Sequence, residues 1–312
     1  MDVIDLHTMK REEGISSPLS VALGNFDGVH VGHAKLIRCA VEYAKENGIK
    51  SAVWTFADAE TALPNKPDSL ALTTTAEKLS LIAKLGVDYA ILADFESVRN
   101  LAPEEFVSDI LIDKCQAKAA ICGFNFRFGK GGAGNADTLR LLMTENECII
   151  VDPIYARGGL VSSSTVRTLI ESGDMEAATE LLGRPFSVTF PVVEGKRLGR
   201  TIGIPTINQN FPVGHIIPAT GIYACTVETP DGIYPGAANV GFRPTVESGV
   251  KRANCETHII GYDGCLYSKN VKVSFYKRLR GEQKFPSVAE LRAQIQLDIA
   301  QTNNYFSKKE LL

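Results

Sequence analysis

Two hydrophobic textures alternate along the first half of the chain. Residues 21–23, 51–56, 89–92, 119–122 and 149–151 are short apolar runs without strict polar alternation, as in strands buried on both faces. Helically spaced stretches lie between them. Thr74 and Glu77 have the spacing of a capping box, and Pro103 followed by Glu104 and Glu105 suits a first helical turn. Such alternation predicts an α/β domain with a parallel sheet and right-handed crossovers. Ser172-Gly173-Asp174 separates two further short helices, and Gly183-Arg184-Pro185 closes the series.

Beyond Pro185 the period shifts toward two, and proline and glycine recur every few residues. Residues 186–193, 223–228, 237–240, 255–260 and 271–276 read as strands, with Asp231-Gly232 and Asp263-Gly264 as hairpin-turn signals. A small antiparallel barrel or sandwich is expected. The chain closes on one helix, begun by Ser287 and Glu290 and facing its core with Val288, Leu291, Ile295 and Ile299. These textures divide the chain into domains 1–184 and 185–312.

Composition changes little in this picture. At 312 residues, 45% hydrophobic and 22% charged, the chain fits two ordinary soluble domains. A net charge of −3 leaves no electrostatic footprint for nucleic acid, yet local nucleotide sites remain open. No stretch approaches the roughly 18 apolar residues of a membrane span, and the first fourteen residues lack a signal-peptide core. Cys39, Cys115, Cys122, Cys148, Cys225, Cys255 and Cys265 are odd in number and form no C-x-x-C pair. They read as small buried hydrophobes in a reducing cytoplasm, without disulfides or a zinc site. No nucleic-acid or membrane partner is expected, and the sequence carries no signal of oligomeric state.

The segment Gly24-Asn25-Phe26-Asp27-Gly28-Val29-His30-Val31-Gly32-His33 joins the first predicted strand to the first helix. A helix N-terminus there offers free amides and a positive dipole end to phosphate. His30 and His33 could together stabilise charge at a pentavalent phosphorus. H-x-G-H resembles the nucleotidylyltransferase signature, and the longer string resembles the FMN adenylyltransferase module of bacterial FAD synthetases. That resemblance implies a Rossmann-like domain. It extends to Ser162-Ser163-Ser164 and Arg167, where a serine can cap a helix and the arginine can reach ATP phosphates. Gly123-Phe124-Asn125-Phe126-Arg127-Phe128-Gly129 also matches. In the family this loop lines the flavin and metal-phosphate region, which implies Asn125 at the nucleotide or its Mg²⁺ and phenylalanines around the isoalloxazine. Two departures stand out: the family often has Phe-x-Pro-His-Pro where Phe56 is followed here by Ala57-Asp58-Ala59, without the usual histidine, and Gly132 stands where arginine is common.

In the second half, Gly195, Lys196, Arg197, Gly199, Arg200 and Gly203 form a basic glycine loop without P-loop spacing. Thr206 and Asn208 alternate on an extended piece and present hard oxygens suited to Mg²⁺. G-x-x-x-G-R-x-x-G-x-P-T-x-N resembles the riboflavin kinase signature. Asn239-Val240-Gly241-Phe242-Arg243-Pro244-Thr245 extends the match, and Glu256 sits where that family carries its catalytic glutamate. Such a carboxylate can take the proton of an attacking ribityl hydroxyl. Arg280 and Phe285 resemble positions near the flavin.

The resemblance spans about residues 18–300 and implies a bifunctional enzyme. Riboflavin is phosphorylated to FMN and FMN adenylylated to FAD, with ATP and Mg²⁺. Two alternatives stay open at this point: a single-activity kinase with a weakened adenylyltransferase site, and a non-catalytic flavin-binding sensor.

Overall fold

Leu19, Val21, Ala22 and Leu23 are all buried, as a strand covered on both faces requires. The computed structural model describes residues 1–6, 15, 17–56, 70–195, 198–244 and 251–309; side chains at 198, 200, 243, 244, 251 and 252 are not described. The chain packs as two compact units, Met1–Ser163 and Ser164–Leu312.

In the first unit, β1 (Asp2–Asp5), β2 (Leu19–Leu23), β3 (Lys50–Phe56), β4 (Tyr89–Ala93), β5 (Ala117–Gly123) and β6 (Glu147–Val151) form one sheet. Their order is β1-β4-β3-β2-β5-β6, and every pairing is parallel. Five strands coincide with the apolar runs. The sixth, β1, is an edge strand with mostly exposed side chains, so no buried run announces it. Val21 and Leu23 join one apolar cluster with Trp54, Phe106 and Phe128, while Ala22 joins another with the inner face of α1 (Val31–Glu46). The sheet therefore carries a core on each side.

α2 (Thr75–Ala83) starts at the expected capping box, Thr74 N donating to Glu77 Oε2 at 3.0 Å and Glu77 N to Thr74 Oγ1 at 3.2 Å. The turn at Pro103–Glu105 runs on as a π-helix over Phe106–Lys114. α3 (Ala136–Leu142) is capped by Asn135. Strand order reverses between β2 and β5, because the chain builds outward through β3 and β4 before adding β5 on the other side. The carboxyl ends of those two strands flank a switch point, where parallel sheets bind ligands.

The second unit opens with α4 (Ser163–Ser172) and α5 (Met175–Leu182), parted at Gly173 as expected. There follow β7 (Phe186–Pro191), β8 (Ile207–Asn210), β9 (Gly221–Thr229), β10 (Gly232–Pro244), β11 (Lys251–Ile259) and β12 (Asn270–Arg280). They pair antiparallel in the order β7-β12-β9-β10-β11-β8. Val193 N donates to Asn208 O at 2.8 Å and nearly closes the sheet into a barrel. Gln209, wholly buried, donates to Phe190 O and Val271 O at 2.7 Å each, tying β8 to β7 and β12.

Three expectations need correction. Asp231-Gly232 lies at a hairpin, where Thr229 pairs with Gly232, but Asp263-Gly264 does not. β11 and β12 are not neighbours, because β12 inserts between β7 and β9. The last helix, α6 (Val288–Lys309), exposes Val288 and half-buries Leu291, Ile295 and Ile299; its deepest residues are Asp298, Thr302 and Phe306. Asp298, 2% exposed, is buried because Arg280 of β12 grips it twice, Nε to Oδ1 at 2.9 Å and Nη2 to Oδ2 at 2.6 Å. Cys115, Cys122, Cys225 and Cys255 are buried as expected, whereas Cys265 is exposed on the loop after β11. No helix among the described residues is long and apolar enough to cross a membrane.

Candidate active sites

Residues 24–30 turn the chain from β2 into α1 beside the strand-order reversal. Phe26 and Val29 adopt φ of 54° and 40°, a left-handed conformation that is costly for a β-branched residue. Side-chain anchors hold it there. The buried Asp27 carboxylate accepts from Leu72 N at 3.0 Å and from Thr73 N and Thr73 Oγ1 at 3.2 Å each. Gly28 N donates to Thr73 Oγ1, and Ser163 Oγ donates to Asp27 O at 3.0 Å. The sequence reading groups Asp27 with ligand contacts; the structure sets its carboxylate on the segment leading into α2.

His30 caps α1, its Nδ1 accepting from His33 N at 3.2 Å. A neutral His30 ring therefore carries its proton on Nε2. The two imidazoles stack with centroids 3.5 Å apart and planes 18° apart. Glycine at position 32 makes room for this, since a Cβ there would come within 3.2 Å of the His30 ring. Phe26 meets His33 edge-on at 5.3 Å, and the buried His33 Nδ1 has no hydrogen-bond partner among the described residues. Burial holds the proton affinity of His33 well below the ordinary imidazole value, with His30 and then Lys78 adding to the effect.

Lys78 is a residue that sequence reasoning missed. It lies on α2 with 5% exposure, and its Nζ donates to Phe56 O at 2.7 Å and Asn25 O at 3.4 Å. The available signal was its spacing: Lys78 and Ile82, one turn apart, are the buried residues of that helix.

Past β5, Phe126 N turns back to Gly123 O at 3.0 Å. The phenylalanines separate here. Phe128 is buried against Phe106, Phe126 stacks on Phe128 at 5.6 Å, and Phe124 stands 46% exposed. Asn125 and Arg127 are exposed on the same loop. Ser162 and Ser163 sit half-buried at the start of α4, Ser164 is exposed, and Arg167 follows one turn later. Ala57-Asp58-Ala59 lies outside the described residues.

The barrel builds a second site through strand register. Asn208 on β8 faces Glu256 on β11, which faces Asn239 on β10. Opposed residues share a sheet face, so the three side chains form one row. The intervening Ala238, Val240, Cys255 and Thr257 are buried in the barrel, which puts this row on its outer side. Asn254, also missed by the sequence reading, donates from Nδ2 to Glu256 Oε1 at 3.3 Å. Asn239 Oδ1 is buried without a partner. His258 Nδ1 bonds Pro205 O at 2.8 Å and so fixes the approach to Thr206, in keeping with a structural role.

Gly195 packs on this row at Asn208. A Cβ at Gly195 would clash with the Asn208 amide, so only glycine lets that backbone approach. Gly199 and Arg200 lie in a helical turn, Leu198–Thr201, followed by Gly203 with φ of 75°. Arg197 and Thr245 lie outside the described residues, and Arg200 and Arg243 are placed by their backbones alone. A cavity of about 210 Å³ opens beside Pro205 and Thr206, lined also by Val192, Tyr262, Leu266 and Tyr267. Arg280 is taken up by Asp298 and lies 5.8 Å from the Phe285 ring.

Comparison with known proteins matches both halves. Residues 12–165 match the FAD synthetase family model and residues 182–306 the riboflavin kinase model. The chain is 34% identical over 307 residues to a bifunctional riboflavin kinase/FMN adenylyltransferase of Bacillus subtilis, covering 96% of each chain. Its identity to the protein of that name from Escherichia coli K12 is 35% over 295 residues, covering 92% of each. A crystal structure described as a macrolide-efflux protein from Streptococcus pneumoniae matches with TM-score 0.86 and 31% identity, covering 97% of this chain and 99% of that one.

Proposed function

The chain belongs to the bifunctional riboflavin kinase/FMN adenylyltransferase family, and from that premise we propose how its residues divide the two reactions. The C-terminal domain phosphorylates riboflavin to FMN with ATP. The N-terminal domain transfers AMP from ATP to FMN, giving FAD and pyrophosphate.

In the kinase, Glu256 accepts the proton of the ribityl hydroxyl as its oxygen attacks the γ-phosphorus and ADP leaves. Asn254 orients that carboxylate through its bond to Oε1. The Asn239 oxygen, in the same row and without a partner among the described residues, takes a hydrogen bond from the ribityl chain. Gly195, Gly199 and Gly203 wrap the ATP phosphates, with Arg197, Arg200 and Arg243 as cations. The cavity beside Thr206 is of a size and aromatic lining that suit adenine. Thr206 and Asn208 would hold Mg²⁺. Their hard oxygens fit that ion. The ion's contribution is to neutralise charge on the phosphates.

In the adenylyltransferase, the FMN phosphate attacks the α-phosphorus of ATP and pyrophosphate leaves. His30 and His33, with the free amides opening α1, stabilise the pentavalent centre. Gly24, Asn25 and Phe26 shape that turn, and Gly32 lets the rings stack. Asn125, with Phe126, Arg127 and Phe128 behind it, lines the flavin side and is a further oxygen donor for Mg²⁺. Ser162, Ser163, Ser164 and Arg167 serve the ATP phosphates.

The functional boundary falls at residue 184. α4 and α5 pack within the second unit, yet α4 carries the serines and Arg167 of the nucleotidyl motif. The free cysteines suit a reducing cytoplasm, and neither nucleic acid nor membrane enters the reaction. One observation carries the reading most directly: the Asn208–Glu256–Asn239 row, with Gly195 packed on Asn208. Purified protein with riboflavin, ATP and Mg²⁺, followed by chromatography, should make FMN and then FAD. FMN that accumulates without FAD would select the single-activity reading, and flavin bound without either product would select the sensor.

A further inference from the structure

Lys78 is a buried cation that none of the binding motifs accounts for. An ammonium group taken from water must be compensated by hydrogen bonds, and here two main-chain carbonyls receive it, Phe56 O at 2.7 Å and Asn25 O at 3.4 Å. Thr55 Oγ1 donates to the same Asn25 carbonyl at 2.8 Å. The end of β3 and the turn leaving β2 are thus fastened to one side chain. The backbone just ahead of α2 is itself fixed to that turn, through the bonds Leu72 and Thr73 give the Asp27 carboxylate. The turn of residues 24–30 is therefore gripped twice, once by Leu72 and Thr73 ahead of α2 and once by Lys78 on α2. The second grip also carries charge. Lys78 acts on His33 in the same sense as burial and His30, disfavouring its protonation. A fixed positive charge set in place before substrate arrives costs no reorganisation when negative phosphate oxygens develop charge.

We propose that Lys78 is a positioning residue for adenylyl transfer, a fixed cation that fastens the turn leading from Asn25 to His30 to the end of β3. The proposal rests on the assignment of FAD formation to this domain.

The test uses the full chain with Lys78→Met, which keeps length and removes both donor and charge, and Lys78→Gln, which keeps a donor and removes the charge. The chain's single tryptophan, Trp54, is buried in the first unit and reports on that unit's fold. With Trp54 emission unchanged, Lys78→Met should lower kcat for FAD formation from FMN about 100-fold. KM should move little, and FMN formation from riboflavin by the same polypeptide should be unchanged. Lys78→Gln should give a smaller loss, and in both variants the imidazole NMR titration of His33 should move to higher pH. A folded variant with wild-type FAD formation and an unmoved His33 titration overturns the proposal. If both variants unfold the first unit, Lys78 is a folding residue and the proposal falls. A wild-type chain that makes FMN but no FAD would instead sink the adenylyltransferase assignment, while the His33 titration would still report on Lys78.

Discussion

Asn208 and Glu256 stand directly opposite each other on β8 and β11, with Asn254 bonded to Glu256 Oε1 from two residues away on the same strand. A carboxylate so held is the general base proposed for the kinase. Glu256→Gln keeps its shape and removes its basicity. FMN formation should fall by about 10²–10⁴, with FAD formation from supplied FMN retained. Loss of both activities in a folded variant would contradict two separate sites.

His30→Asn gives the converse. Asparagine caps helices well, so α1 keeps its start while the stacked imidazole is lost. FAD formation should fall by about 10²–10³ and FMN formation should not change. Thermal unfolding followed by Trp54 fluorescence separates this from simple destabilisation.

Gly32→Ala tests the stacking itself. Its Cβ would press on the His30 ring at 3.2 Å, and displacing that ring from His33 should slow FAD formation about tenfold, equivalent to roughly 1.4 kcal/mol of barrier. Undiminished turnover would mean that the stacked arrangement is not the working one.

His33 also makes stability depend on pH. Its folded proton affinity is depressed, chiefly by burial, so the unfolded chain binds the extra proton first. Stability of the first unit should be fully present above about pH 6.5, the ordinary histidine value, and fall as pH drops toward the folded one. Denaturant titrations read by Trp54 at several pH values check this, and His33→Asn should flatten the dependence.

Asp298→Ala leaves Arg280 facing an empty partner position in a pair whose acid is 2% exposed. Breaking such a pair should cost about 3–5 kcal/mol, read as a lower urea midpoint for the second unit by circular dichroism. A shift no larger than that of an exposed pair such as Lys272–Glu228 would mean the clamp does not hold α6 to β12.

Much of the site inventory was legible in the chain because local chemistry demands particular residues in order. H-x-G-H shows two histidines three apart across a strand–helix turn, though only the structure shows that their rings stack over Gly32. Thr74 with Glu77, and Ser287 with Glu290, announce helix starts because the capping bonds span only three residues. Lys78 was not legible in the same way. A lysine on a helix reads as solvated until the carbonyls of Phe56 and Asn25, far away in the chain, are known to lie within reach of its Nζ.

The sequence by itself determined the two textures, the parallel sheet's buried strands and the order of the motifs. These depend on period, turn chemistry and residue type, all of which act within a few positions. Only the tertiary structure decided that β12 inserts between β7 and β9, that Asp27 anchors residues 72 and 73, and that Asp298 is buried against Arg280. Each of these is a pairing between distant segments. A polar group tolerates burial only when such a partner arrives, and strand register, not composition, decides which partner that is.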